Sequence, residues 1–157
     1  MPTGSDPPVS AQPPRLARIV VGVDDSPESL HALDLAASIG SPRDAELTIV
    51  HVRPHPSSLG FSTVAAFQYE QLQEELDELV HAAAASRLGD YAGAWEVVTR
   101  DGHVGHQILE VADEVDADLV VVGHRSHGPV RDAILGSVAA HTVHHSSRSI
   151  LVAIPPA

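Results

Sequence analysis

Two hydrophobic patterns alternate along this chain. The first is a short run of β-branched and aliphatic residues, as in Arg18-Ile19-Val20-Val21-Gly22-Val23, Glu46 to Val52, Trp95 to Thr99, Leu119 to Val122 and Ser149 to Ile154. Such runs, bounded by turn residues, predict strands buried on both faces. The second is an apolar return every three or four positions, which predicts amphipathic helices. Leu30, Leu33 and Ala37 mark the first helix, which begins at Ser26-Pro27-Glu28 with a serine cap, a proline at the first position and an early acid, and stops at Gly40-Ser41-Pro42. After a polar loop from His55 to about Thr63, Leu72, Leu76, Leu79, Val80 and Ala83 mark a long second helix ending at Gly89. Ile108, Val111, Ala112 and Val115 mark the third, after Asp101-Gly102, and the fourth starts near Ser137.

The predicted order is β-α-β-α-β-α-β-α-β. Strict alternation with short buried strands implies α/β architecture: an open five-stranded parallel sheet with helices on both faces. In such sheets a ligand occupies the crevice beyond the carboxyl ends of the strands, where the strand order reverses. That rule nominates Val23-Asp24-Asp25, Val52-Arg53, Arg100-Asp101-Gly102 and the stretch after Val122. Residues 1–16, rich in proline and poor in apolar side chains, read as a disordered tail, and 17–157 as one domain.

Composition then removes whole classes of chemistry. The chain of 157 residues has no cysteine, so neither disulfides nor thiolate chemistry is available. All nine basic residues are arginines, which excludes a Walker lysine, a Schiff base or the lysine of a phospho-acceptor receiver. A formal net charge of −12 repels nucleic acid and anionic lipid. No apolar run reaches the length of a membrane span, and the first residues have neither the basic start nor the apolar stretch of a signal peptide. A cytoplasmic protein is expected.

The chemistry concentrates between Gly123 and Gly136. Strand-to-helix connections usually take about 2–6 residues, and one as long as this is more often functional than idle. It carries Arg125 and Arg131, has glycine at both ends, and leads through Gly136-Ser137 into a helix whose free N–H groups and dipole favour an anion. Glycine lets the backbone approach a phosphate closely.

Gly123-x-x-Ser126, nine further residues and Gly136-Ser137 resemble the nucleotide-binding signature of the universal stress protein family, Gly-x-x-Gly-x9-Gly-(Ser/Thr). The opening Ile19-Val20-Val21-Gly22-Val23-Asp24-Asp25-Ser26 and the ending Val143-His144-His145 followed by Ile150-Leu151-Val152 resemble that family too. The resemblance implies a Rossmann-like fold of the adenine nucleotide alpha hydrolase type and a stress-response homodimer that binds ATP, with Mg²⁺ as a companion, and has little or no catalysis. Adenine and ribose would then lie near Val23, Asp24 and Val52, with Gly102 a weaker candidate. The triphosphate would lie over Gly123, Arg125, Ser126, Gly136, Ser137 and Val138. The family also implies pairing of two chains through the last strand, Ser149 to Ile154, whose open β-branched edge suits it. One departure opens an alternative: Ser126 stands where the signature has glycine, and its Cβ could obstruct the phosphate. The chain would then act as a nucleotide-free dimerising interaction module.

Competing assignments are weaker. Asp24 could equally be a turn residue helping Ser26 begin its helix, and Ser137 a simple cap. His141, His144 and His145 have spacings that could present two metal ligands on one helix face, yet no His-Glu-x-x-His arrangement accompanies them, and exposed or helix-terminal histidines are the preferred reading. His124 and His127 are better placed for phosphate contacts. No Gly-x-Ser-x-Gly elbow occurs, so no hydrolase triad is assigned.

Overall fold

The computed structural model describes residues 15–55, 62–124 and 135–156. The elements, in order, are β1 (Arg18–Gly22), α1 (Pro27–Gly40), a short 3-10 turn (Ser41–Arg43), β2 (Glu46–Arg53), α2 (Thr63–Arg87), β3 (Trp95–Asp101), α3 (Val104–Glu114), β4 (Leu119–Gly123), α4 (Ser137–His145) and β5 (Ser149–Ala153). The strands form one parallel sheet in the order β3-β2-β1-β4-β5. The chain therefore winds outward from β1 through β2 to β3, then returns to the other side of β1 for β4 and β5. The switch point lies between β1 and β4.

Alternation along the strands sorts the core into two layers. Ile19, Val21, Leu47, Ile49, Leu119 and Val121 point to one face, where Ala32, Leu33 and Ala36 of α1 and Val80 and Ala84 of α2 cover them. Val20, Val50, Val52, Val120 and Val122 point to the other, against Ile108, Val111 and Ala112 of α3 and Ala139 of α4. The expected architecture, with helices on both faces, is the one observed.

Local chemistry explains the joints. The Ser26 side chain accepts from the Ser29 N–H and caps α1, with Pro27 following. The Asp118 carboxylate receives the N–H groups of Ala17 and Arg18, at 2.8 and 2.9 Å, and so ties the chain entering β1 to the start of β4. Helices α3 and α4 meet where Gly105 leaves room for His141: a Cβ at Gly105 would lie 2.7 Å from its ring. His141 in turn stacks on His145 with ring centroids 4.2 Å apart, and lies 4.6 Å from the ring of His103.

The inward face of α2 departs from the sequence reading. Val80 is buried as expected, but Leu72 and Leu79 are half exposed, and Gln73 and Ala84 are buried in their place. The helix is rotated so that Gln73, Leu76 and Asp77 turn toward the ends of the strands. A hydrophobicity pattern assigns leucine inward and glutamine outward, and it fails where a helix borders a cavity rather than a packed core.

Candidate functional site

A cavity of about 580 Å³ opens beyond the carboxyl ends of β1, β2 and β4. Its described lining comes from Gly22 at the end of β1 with Val23 and Asp24 after it, Val50 to Val52 of β2, Val122 and Gly123 of β4, and Gly136 to Ala139 at the start of α4. The start of α1, Gln73 and Leu76 of α2, Pro54 after β2, and Val104 and Ile108 of α3 also contribute. Seven of the residues nominated from sequence are brought together here: Val23, Asp24, Val52, Gly123, Gly136, Ser137 and Val138. Gly102 lies in a neighbouring cavity of about 420 Å³, which shares Pro54, Val104, Ser137 and Val138 with the first. Its φ of +130° is a conformation that glycine adopts without strain. Arg125 and Ser126, like Arg131 and His127, fall outside the described residues. His124 is not in the described lining; its backbone N–H extends the sheet by donating to the Ala153 carbonyl at 2.8 Å.

Each end of the cavity has its own character. At the α4 end, Gly136 is the N-cap and offers no side-chain hydrogen bond to the first turn. Ser137 is thus the first helical residue rather than the cap. The first-turn N–H groups are left for water or an anion, at the positive end of the helix dipole. The φ of −54° at Gly136 is open to any residue, so conformation is not the reason for glycine there. Gly123 is different. A Cβ on it would lie 2.6 Å from the Glu28 carbonyl oxygen, because the end of β4 packs directly on the first turn of α1. Its glycine is explained by that packing.

Asp24 sits at the exposed rim, and its carboxylate accepts from the Ser26 N–H at 3.1 Å and the Ser26 hydroxyl at 2.5 Å. The turn-forming role considered for it is therefore present, and the same side chain borders the cavity.

The β2–α2 end was missed by sequence reasoning. His51 is 3% exposed and its Nδ1 lies 3.0 Å from the Val23 carbonyl, to which it donates. Its Nε2 is 3.3 Å from Asp77 Oδ1, but without the alignment of a hydrogen bond. Asp77 also accepts from Arg53 Nε at 3.0 Å, and this hydrogen bond is the main reason the Arg53 pKa is raised. Gln73 is 6% exposed and its Oε1 has no hydrogen-bond partner among the described residues. Only the i, i+4 spacing of Gln73 and Asp77, with His51 inside a strand, offered a signal in the sequence.

Among the described residues, no cluster of three or more His, Asp or Glu side chains is arranged to hold a metal, and no helix is long and apolar enough to cross a membrane.

A doubly wound parallel sheet with a cavity at its switch point, and a helix terminus without a side-chain cap facing that cavity, defines an open α/β domain of the Rossmann-like kind. The sequence model of the Universal stress protein family matches residues 16–153, and the chain belongs to that family. It is 32% identical over 142 residues to universal stress protein A homolog 1 of Coxiella burnetii, covering 85% of this chain and 92% of the relative. Universal stress protein UspA from Lactobacillus plantarum has a similar structure, with a TM-score of 0.74, 21% identity and coverage of 88% and 98%. A universal stress protein crystallised in complex with cAMP is 30% identical, with a TM-score of 0.58 and coverage of 88% and 97%.

Proposed function

We propose that this chain is an adenine-nucleotide-binding regulatory protein of the cytoplasm that takes ATP in the switch-point cavity and acts through conformation rather than catalysis. The observation that carries this reading is the uncapped N-terminus of α4 at Gly136, opening on the same cavity whose opposite wall is the apolar end of β2. An anion subsite and an apolar slot within about 580 Å³ match a nucleotide, and the cavity lies within the usual range of small-molecule sites. The structurally similar protein that holds cAMP binds a ligand of the same chemical class.

The site's residues fit this ligand. Val50 and Val52 supply the wall against a base, Asp24 a carboxylate for ribose hydroxyls or a Mg²⁺ ion, and Gly136, Ser137 and Val138 the backbone N–H groups for phosphate. Bound Mg²⁺ would offset triphosphate charge. The nominated Arg125 and Ser126 extend the phosphate end in this proposal. Two chains would pair through β5, an edge strand whose Ile150, Leu151 and Val152 are only partly buried and which is followed by exposed Ile154.

Calorimetric titration of nucleotide-stripped protein with ATP, with and without Mg²⁺, tests the reading. The expected affinity is near micromolar, about −8 kcal/mol. Gly136→Val should abolish it, and Asp24→Ala should weaken it by about 1–3 kcal/mol. No heat and no thermal stabilisation at about millimolar ATP would refute nucleotide binding; a monomer mass by sedimentation would refute the pairing.

A further inference from the structure

Four histidines gather where α3 and α4 pack together. The His141 ring lies against the α3 backbone at Gly105, where a Cβ would be 2.7 Å from its Cδ2 and 3.0 Å from its Cβ and Cγ. It also stacks on His145, with ring centroids 4.2 Å apart, and approaches the ring of His103 to 4.6 Å. Among the described residues, the charges that act on His141 are those of His145, His103 and His106, all of its own sign once protonated. The carboxylates of α3 are engaged elsewhere: Glu110 faces His106 at 3.5 Å, Glu114 pairs with Arg100, and Asp113 pairs with Arg148, which Asp116 also holds. His144, also on α4, is exposed. The strands β4 and β5, against which α4 packs, carry no titratable side chain.

Neutral imidazoles stack without penalty, and imidazoliums repel. Burial first, and then the neighbouring histidines, hold the His141 pKa below its ordinary value, so the packed arrangement of α3 on α4 excludes the proton. His103 adds to this. Its Nδ1 caps α3 by accepting from the His106 N–H at 3.3 Å, and a protonated ring has no acceptor with which to do so.

The same helix carries the anion end of the cavity. Ser137, Val138 and Ala139 line it, and His141 follows one turn after Ser137. His103 lines the neighbouring cavity together with Ser137 and Val138. Only Ala139 and Thr142 of α4 are buried, so the seating of this nine-residue helix depends heavily on its contact with α3.

We propose that the α3–α4 histidine cluster is a proton-operated latch on the nucleotide site: uncharged, it seats α4 on α3 with the helix N-terminus in place for phosphate, and protonation drives α4 off α3 and weakens nucleotide binding. This rests on the nucleotide-binding reading above and assigns a regulation to the same site. The sign follows from linkage. The seated form binds fewer protons, so a ligand that requires it binds less tightly as the pH falls through the histidine range.

Calorimetric titration of the full chain with ATP at about pH 7.5 and about pH 5.5 spans that range. On acidification the wild-type affinity should fall at least about fivefold more than that of His141→Phe, the lower end of ordinary coupling between two sites. The phenylalanine keeps a ring against Gly105 and His145 but cannot take a proton; His141→Gln repeats the test without a ring. Protonation of ATP itself is common to all three proteins and cancels in the comparison. Both variants should match wild type at the higher pH. In buffers of different ionisation enthalpy, the wild type should release more protons on binding ATP than either variant, the reciprocal of the same coupling. Parallel affinity profiles for the three proteins, or a wild-type affinity that rises relative to the variants on acidification, would overturn the latch while leaving the nucleotide site intact. So would an affinity loss that coincides with loss of the far-UV circular dichroism signal, because that is unfolding of the whole domain. If the wild-type chain binds no ATP even at the higher pH, the nucleotide reading fails and the latch falls with it.

Discussion

Gly123 provides the sharpest test of the packing at the switch point. In Gly123→Ala the new methyl carbon would lie 2.6 Å from the Glu28 carbonyl oxygen, 2.7 Å from its carbonyl carbon and 3.0 Å from the Ser29 nitrogen. Carbon atoms in comfortable contact are about 3.5–4.0 Å apart. All three neighbours are backbone atoms in the first turn of α1, so no side chain can rotate away and the helix itself must move. Overpacking of this kind costs about 1–3 kcal/mol. For a domain of this size each kcal/mol moves the melting midpoint by about 2–4 °C, which gives a fall of about 2–12 °C. Scanning calorimetry of the ligand-free chain measures it. Gly89→Ala is the control, because the nearest atoms to its Cβ are at 3.7 and 4.0 Å, ordinary contacts, and its midpoint should not fall. Because Glu28 and Ser29 also line the cavity, the shift of α1 should weaken nucleotide binding as well. A Gly123→Ala protein that melts with wild type would show that α1 does not rest on the end of β4 as described.

Two other contacts carry predictions of their own. The His141 pKa is lowered, first by burial and then by repulsion from His145, His103 and His106, so the unfolded chain binds this proton more readily than the native one. Stability should therefore fall as the pH drops through and below the ordinary histidine value of 6.5, and His141→Gln should lose less over that interval; parallel stability curves for the two proteins would contradict this. Asp118→Ala should cost about 1–3 kcal/mol in urea unfolding by freeing the Ala17 and Arg18 N–H groups, while Asp118→Asn, which keeps an acceptor oxygen, should cost less; an unmoved midpoint for the alanine variant would count against the clamp.

Much of this fold was legible from periodicity. The β-branched runs at 19–23 and 119–122 are uniformly apolar, as doubly covered strands require, and the Ser26 cap marks where α1 begins; at α4 the sequence offered Ser137 as the cap, one residue beyond the observed Gly136. From the alternation of strands and helices, the rule that ligands lie beyond the carboxyl ends of the strands then reached Val23, Asp24 and Val52. What it could not reach were inward-facing polar groups. Leu72 and Leu79 attracted the helical pattern because leucine is the better prior for a buried face, yet the polar surroundings at the strand ends turned Gln73 and Asp77 inward instead. Gly123 was legible as a required glycine, but a required glycine in sequence does not say whether a phosphate or a neighbouring helix needs the space. Only the position of Glu28 decides that.

The winding order gives the cavity a history. Its walls are laid down by β1, β2 and β4 together with α1, α2, α3 and α4, so Gly22 and Ala139 must meet across most of the described chain. During synthesis the apolar wall of β2 exists long before α4 emerges to close the other end, and such long-range contacts form late. The cavity is consequently enclosed only once α4 has joined the strands laid down before it, so the site's two ends come from opposite halves of the described chain.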